Sequence, residues 1–98
     1  MEFMVLIKNT YPADGDKDLL ASLTKAESAR ATVLANEGVI KKIWRRPGQK
    51  SNVGIWVAAD ATQLHAAISS LPFFPWLETE IWPLAEHPND PKRYGEIK

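Results

Sequence analysis

The order of periodic segments predicts an α+β domain, β-α-β-β-α-β, with two helices on one face of a four-stranded antiparallel sheet. Three observations predict it. A long run with helical spacing, Asp16 to Gly38, lies between two short strand-like stretches, Phe3 to Asn9 and Val39 to Arg46. A second helical run after Asp60 separates Asn52–Ala58 from Leu77–Pro83. The second and third strands are joined by a loop of about five residues, which suits a hairpin and is far too short for a parallel crossover. This order is the split βαβ, or ferredoxin-like, arrangement.

Each element has its own local justification. Phe3 to Asn9 sets Phe3, Val5 and Ile7 against Met4, Leu6 and Lys8, so both faces of the first strand are apolar. Pro12 and Gly15 mark the following turn, which delivers Asp14 or Asp16 to the helix N-cap. Gly38 ends that helix. Pro47 and Gly48 open the hairpin turn, and the third strand places Val53, Ile55 and Val57 on one face and Asn52, Gly54 and Trp56 on the other. Asp60, with Gln63 three residues on, starts a second helix whose apolar stripe is Leu64, Ala67, Ile68 and Leu71, stopped by Pro72. The fourth strand sets Leu77, Thr79 and Ile81 opposite Glu78, Glu80 and Trp82. From Ala85 onward Pro88, Pro91 and alternating charges carry no periodicity, so 85–98 is expected as an extended tail.

Ninety-eight residues suffice for one core and one domain, 1–98. Twelve basic and twelve acidic residues cancel, which removes any general pull toward nucleic acid or an anionic membrane. The absence of cysteine excludes a thiol nucleophile, a thiolate metal site and a disulfide framework, and fits a cytoplasmic setting. The opening run around Glu2 is too short and too polar for a signal peptide or membrane span. Two helices can cover one sheet face only. The other, to which Trp56 is assigned here, is therefore expected to pack on the sheet of a second copy as a homodimer.

The long helix carries a carboxylate where a leucine is expected. Leu20, Leu23, Glu27, Ala31 and Leu34 share one face, so Glu27 sits in the middle of an apolar stripe. A buried carboxylate is costly unless paired, hydrogen-bonded or protonated. One reading is a structural glutamate paired with Arg30 or with a basic residue of the sheet. The other is a general base held between helix and sheet, with its pKa raised by desolvation toward working pH.

Lys41, Lys42, Arg45, Arg46 and Lys50 surround Trp44, which has the look of a nucleic-acid patch, but strand alternation splits these charges between two faces. An inward Arg45 would suit a carboxylate, either of a substrate or of Glu27 itself. His65 and His87 lack a third ligand at metal-binding spacing, so no metal is expected, and His87 could reach a neighbouring pocket. The five glycines form no phosphate-binding loop. Leu71-Pro72-Phe73-Phe74-Pro75-Trp76 is a dense apolar loop that plugs the core, meets another subunit or walls a small-molecule pocket.

Glu27, Leu34, Gly38, Ile43-Trp44-Arg45, Gly48, Asn52, Leu64-His65, Leu71-Pro72, Phe74-Pro75, Pro83-Leu84 and His87-Pro88 together resemble the muconolactone delta-isomerase family. The resemblance runs from the first strand to His87. It implies the ferredoxin-like fold, face-to-face pairing into a dimeric α+β barrel, a closed ring of dimers and no cofactor. The implied chemistry is isomerisation of a small unsaturated lactone acid in the 3-oxoadipate (β-ketoadipate) route of aromatic breakdown, and chloromuconolactone dehalogenases are relatives. The family's acidic residue on the first helix falls on Glu27.

Two departures accompany the resemblance: Leu6 stands where the family has an arginine, and Lys50 where it has a tyrosine just before Asn52. They leave the exact lactone open. The expected mechanism has Glu27 taking the proton next to the lactone carbonyl and returning it further along the conjugated system. Arg45, Asn52 or Lys50 holds the dienolate oxygen, with Lys50 as the second catalytic residue. Trp44, Arg45, Asn52, Phe74, Trp76 and His87 are the expected substrate-binding residues. The alternatives are a cofactor-independent monooxygenase of the dimeric α+β barrel kind, and a non-catalytic binding or assembly protein in which Glu27 is a satisfied buried acid.

Overall fold

The computed structural model describes residues 1–91. Its elements are β1 (Glu2–Asn9), α1 (Lys17–Asn36), β2 (Ile40–Arg45), β3 (Ser51–Val57), α2 (Ala61–Ser69), a single 3-10 turn (Phe74–Trp76) and β4 (Leu77–Leu84). The strands form one antiparallel sheet in the order β2-β3-β1-β4, with the first strand inside it as its two apolar faces require. Of the expected tail, 85–91 is exposed and 92–98 lies outside the described residues.

The helix ends follow from local chemistry. The Asp16 carboxylate accepts the Leu19 N–H at 2.9 Å, satisfying a donor that the first turn cannot pair internally. At the other end Gly38 adopts φ +81°, and the Val39 N–H returns to the Leu34 carbonyl at 2.9 Å. A side chain would strain that left-handed position, so glycine is what lets the chain turn from α1 into β2. Asp60 accepts the Gln63 N–H at 2.8 Å, while the Gln63 side chain accepts from the Ala59 N–H, one residue earlier than a standard capping box.

Register decides which sheet face is covered. Phe3 lies opposite Trp56, Val5 opposite Gly54 and Ile7 opposite Asn52, and residues directly opposite in an antiparallel pair share a face. Phe3, Val5, Ile7 and Trp56 are buried with Leu34, Leu64, Ile68 and Leu71 from the helical side. Trp56 therefore belongs to the covered face, correcting its assignment to the open one. The open face carries Met4, Leu6, Val53, Ile55 and Val57, flanked by Trp44 and Trp82 at 47% and 51% exposure.

Leu34 is the one stripe residue of α1 that is fully buried; Leu20, Leu23, Glu27 and Ala31 are half-buried. Leu34 thus anchors the C-terminal end of α1, and the stretch from Leu20 to Ala31 overhangs a cavity. Leu34→Ala should cost about 2–5 kcal/mol, the usual range for truncating a buried leucine. Urea unfolding would show this as a lower midpoint with an unchanged slope.

Candidate active site

The cavity under α1 measures about 500 Å³ and draws on almost every element. The helix contributes Leu20, Thr24, Glu27, Ser28 and Ala31, and the strands contribute Ile7, Asn9, Arg45, Asn52 and Leu77. Tyr11, Lys50 and Phe73 come from the connecting segments. Its walls are largely apolar, with a carboxylate on the helical side and a guanidinium and an ammonium group on the sheet side. That division suits a small anionic molecule with an unsaturated body.

Glu27 has no basic partner within ion-pair distance among the described residues. Arg30, the nearest candidate on its own helix, instead donates from Nε to Ser70 Oγ at 2.9 Å. The contact made by Glu27 is with the backbone: the Phe73 N–H donates to Oε1 at 3.0 Å. Burial pushes the Glu27 carboxyl above the ordinary glutamate range, and this hydrogen bond pulls part of the way back. A carboxylate that is desolvated yet not neutralised by an ion pair is poised to accept a proton.

A bulge aims Arg45 at the cavity. Ile40 pairs with Trp56 but Lys42 pairs with Ile55, so Lys41 is an extra residue and the alternation of β2 shifts by one. Arg45 then lies opposite Asn52 on the cavity side, and Trp44 lies opposite Val53 on the open face. The Asn9 N–H donates to the Lys50 carbonyl at 2.9 Å, which fixes the end of the hairpin turn beside β1 and places Lys50 at the cavity. Asn52 Oδ1 is buried and has no hydrogen-bond partner among the described residues.

Of the residues expected from sequence, the structure gathers Glu27, Arg45, Lys50 and Asn52 around this one cavity. Trp44 is not among them, because the bulge turns it to the opposite face, where Lys42 Nζ sits 5.4 Å from its ring centre. Phe74 lines a separate groove beside α2 with His65, whose ring meets it edge-on. Trp76 stands behind the wall, in edge contact with Tyr11 and Phe73. His87 lies on the exposed tail, where Nδ1 accepts the Asn89 N–H at 3.0 Å. Leu6 faces the open side opposite Glu80 and Val53, so within one chain that position does not border the cavity.

The basic run disperses as alternation requires. Lys41 pairs with Glu2 at 2.6 Å, Lys42 lies over Trp44, Arg46 reaches Ser51, and only Arg45 and Lys50 meet at the cavity. Sequence reasoning missed Tyr11, Asn9, Thr24 and Ser28 as lining residues. Thr24 was legible, since it lies three residues before Glu27 on the same helical face, and Ser28 follows Thr24 by four.

Comparison with known proteins accords with this geometry. A profile of the muconolactone delta-isomerase family matches residues 1–90. The muconolactone delta-isomerase of Rhodococcus opacus is 34% identical over 90 residues, 92% of this chain and 97% of that protein. Muconolactone delta-isomerase 2 of Acinetobacter lwoffii is 32% identical over 87 residues, 89% of this chain and 91% of the other. A crystal structure of muconolactone isomerase superposes with a TM-score of 0.85 at 29% identity, covering 91% of this chain and 93% of that one. No helix among the described residues is long and apolar enough to cross a membrane. With the profile spanning nearly all of it and the fold shared, this chain belongs to the muconolactone delta-isomerase family.

Proposed function

We propose that the protein is a cofactor-free isomerase that shifts the ring double bond of a small unsaturated lactone acid of the muconolactone type, as part of aromatic-compound breakdown in the cytoplasm. The observation that carries this reading is Glu27, a carboxylate with no ion-pair partner among the described residues, lining one cavity with Arg45 and Lys50. Glu27 moves a proton between the carbon next to the lactone carbonyl and the γ-carbon. In a conjugated lactone the proton leaves the γ-carbon and returns beside the carbonyl; in the unconjugated isomer the order reverses. Both paths pass through one dienolate, whose oxygen carries the charge. Lys50 lies on the cavity side where that oxygen can be held, and Arg45 provides a planar fork for the substrate carboxylate. The amide of Asn52 fixes the orientation of the ring.

The test is proton NMR of a muconolactone-type substrate in deuterium oxide with the purified protein. Double-bond migration with deuterium entering next to the carbonyl, and no oxygen uptake, supports the isomerase. Oxygen consumption would instead favour the monooxygenase alternative.

We further propose that the open sheet face receives a second copy of the chain. Its central residues Met4, Leu6, Val53, Ile55 and Val57 are apolar, and its edges differ in charge: Lys42 lies on the β2 edge, Glu78 and Glu80 on the β4 edge. A two-fold axis through the face sets the basic edge of one copy against the acidic edge of the other. Further association of such dimers into a ring accords with the family resemblance. Sedimentation at micromolar concentration should show a dimer or larger; a single species with the mass of one chain would sink this assembly.

A further inference from the structure

Tyr11 stands at the junction of the two segments that make the Glu27 contact. Its ring meets Phe73 edge-on at 6.0 Å between centroids and Trp76 at 5.1 Å, and Phe73 and Trp76 meet each other at 6.3 Å. Its hydroxyl donates to the carbonyl of Asp16, the N-cap of α1, at 2.8 Å. Its own N–H donates to Asn9 Oδ1 at 2.9 Å, while the neighbouring Thr10 N–H donates to the Trp76 carbonyl at 2.8 Å. One residue therefore ties the start of the helix that carries Glu27 to the aromatic segment whose Phe73 N–H holds Glu27.

The ring also has a seat. A Cβ added at Gly15 would fall 2.6 Å from Tyr11 Cε1 and 2.9 Å from Cζ, closer than carbon atoms pack. Only a residue without a side chain lets the ring lie against the turn at that point. Since Tyr11 lines the same cavity as Glu27, displacing the ring would both open that wall and release the Phe73 segment.

From this geometry we propose that the Tyr11 ring, seated on Gly15, is a positioning residue that holds the Phe73 N–H in register with the Glu27 carboxylate. This rests on the isomerase reading for its consequence in catalysis, but its structural content can be tested without any substrate. The reporter is the Phe73 amide resonance of the 15N-labelled full chain, followed through a pH titration. A hydrogen bond to a carboxylate shifts an amide proton when that carboxylate ionises, so the native protein should show a step that disappears in Glu27→Gln.

Tyr11→Ala should shrink the step by at least half, and Tyr11→Phe, which keeps the ring, should retain it. Gly15→Ala, which leaves every aromatic residue in place but removes the seat, should reduce it as Tyr11→Ala does. If Tyr11→Ala does not fold, Gly15→Ala decides alone. A Tyr11 that serves packing alone would lower the melting temperature and leave the step at full size. That outcome overturns the proposal, as would absence of the step in the native chain or an equal loss in Tyr11→Phe and Tyr11→Ala. Lactone turnover is measured separately: its absence in the native protein would sink the isomerase reading and leave the Tyr11 result standing.

Discussion

Glu27→Gln should fold normally and lower turnover of a muconolactone-type substrate by about two to four powers of ten, the usual cost of removing a general base. The amide keeps the volume of the carboxyl group and can still accept the Phe73 N–H, so packing is preserved while the proton acceptor is lost. Exchange of solvent deuterium at the carbon next to the lactone carbonyl should stop with it. The native enzyme should show an acid limb in kcat/KM above the ordinary glutamate range, because burial favours the protonated form of Glu27. That limb should vanish in the variant. Near-native turnover in Glu27→Gln would make this carboxylate a packing residue.

The same substitution has a stability consequence whose sign follows from linkage. A carboxyl group whose pKa is raised by folding contributes stability at pH below its unfolded value, and loses it as pH rises through the folded value. Native Glu27 is raised, so at neutral pH its ionised form opposes folding. Glu27→Gln should therefore melt at an equal or higher temperature at neutral pH. The native chain should recover the difference as the pH falls below the ordinary glutamate range. Parallel thermal melts at acidic and neutral pH check this. A variant less stable than the native chain at neutral pH would mean that the Phe73 hydrogen bond outweighs desolvation.

These expectations follow from features of unequal visibility in the sequence. The helix carrying Glu27 was legible because its apolar period, the Asp16 cap and Gly38 all agree on one element. That the first strand is not a one-faced edge strand was legible from its two apolar faces. What a stripe does not disclose is how deeply each of its residues is buried, and in α1 Leu34 alone is fully so. The space left under Leu20 to Ala31 is the cavity. Sequence periodicity saw the apolar wall and could not see the gap.

The structure places Trp56 and Trp44 on other faces than expected, for two separate reasons. Trp56 alternates with Ile55, and which of the two faces the helices depends on the register with β1, a long-range pairing that one sequence does not specify. Trp44 and Arg45 are neighbours in a strand, so both cannot enter one cavity by alternation. The bulge at Lys41 selects Arg45, and no turn residue or glycine in β2 announces it. Tyr11 escaped notice because it belongs to no periodic segment; its role follows from contacts with residues more than 60 positions away.

Arg45→Gln should raise KM for a carboxylate-bearing lactone by about 10- to 100-fold while changing kcat much less. A hydrogen bond to a charged group contributes about 1.5–3 kcal/mol, and each 1.4 kcal/mol is a factor of ten, which sets that range. In the proposed binding mode the guanidinium grips a part of the substrate that does not react, so the contact persists from bound substrate to transition state and affects binding rather than turnover. The effect should be absent for the methyl ester of the same lactone, which has no charge to bind, and smaller in high salt because Arg45 is exposed. Lys50 presents a compact charge without the planar fork and is proposed to hold the developing dienolate, so Lys50→Met should lower kcat more than it raises KM. Steady-state kinetics with acid and ester substrates separate the two roles. If Arg45→Gln weakened acid and ester equally, the guanidinium would be acting through cavity shape, and the carboxylate would bind elsewhere.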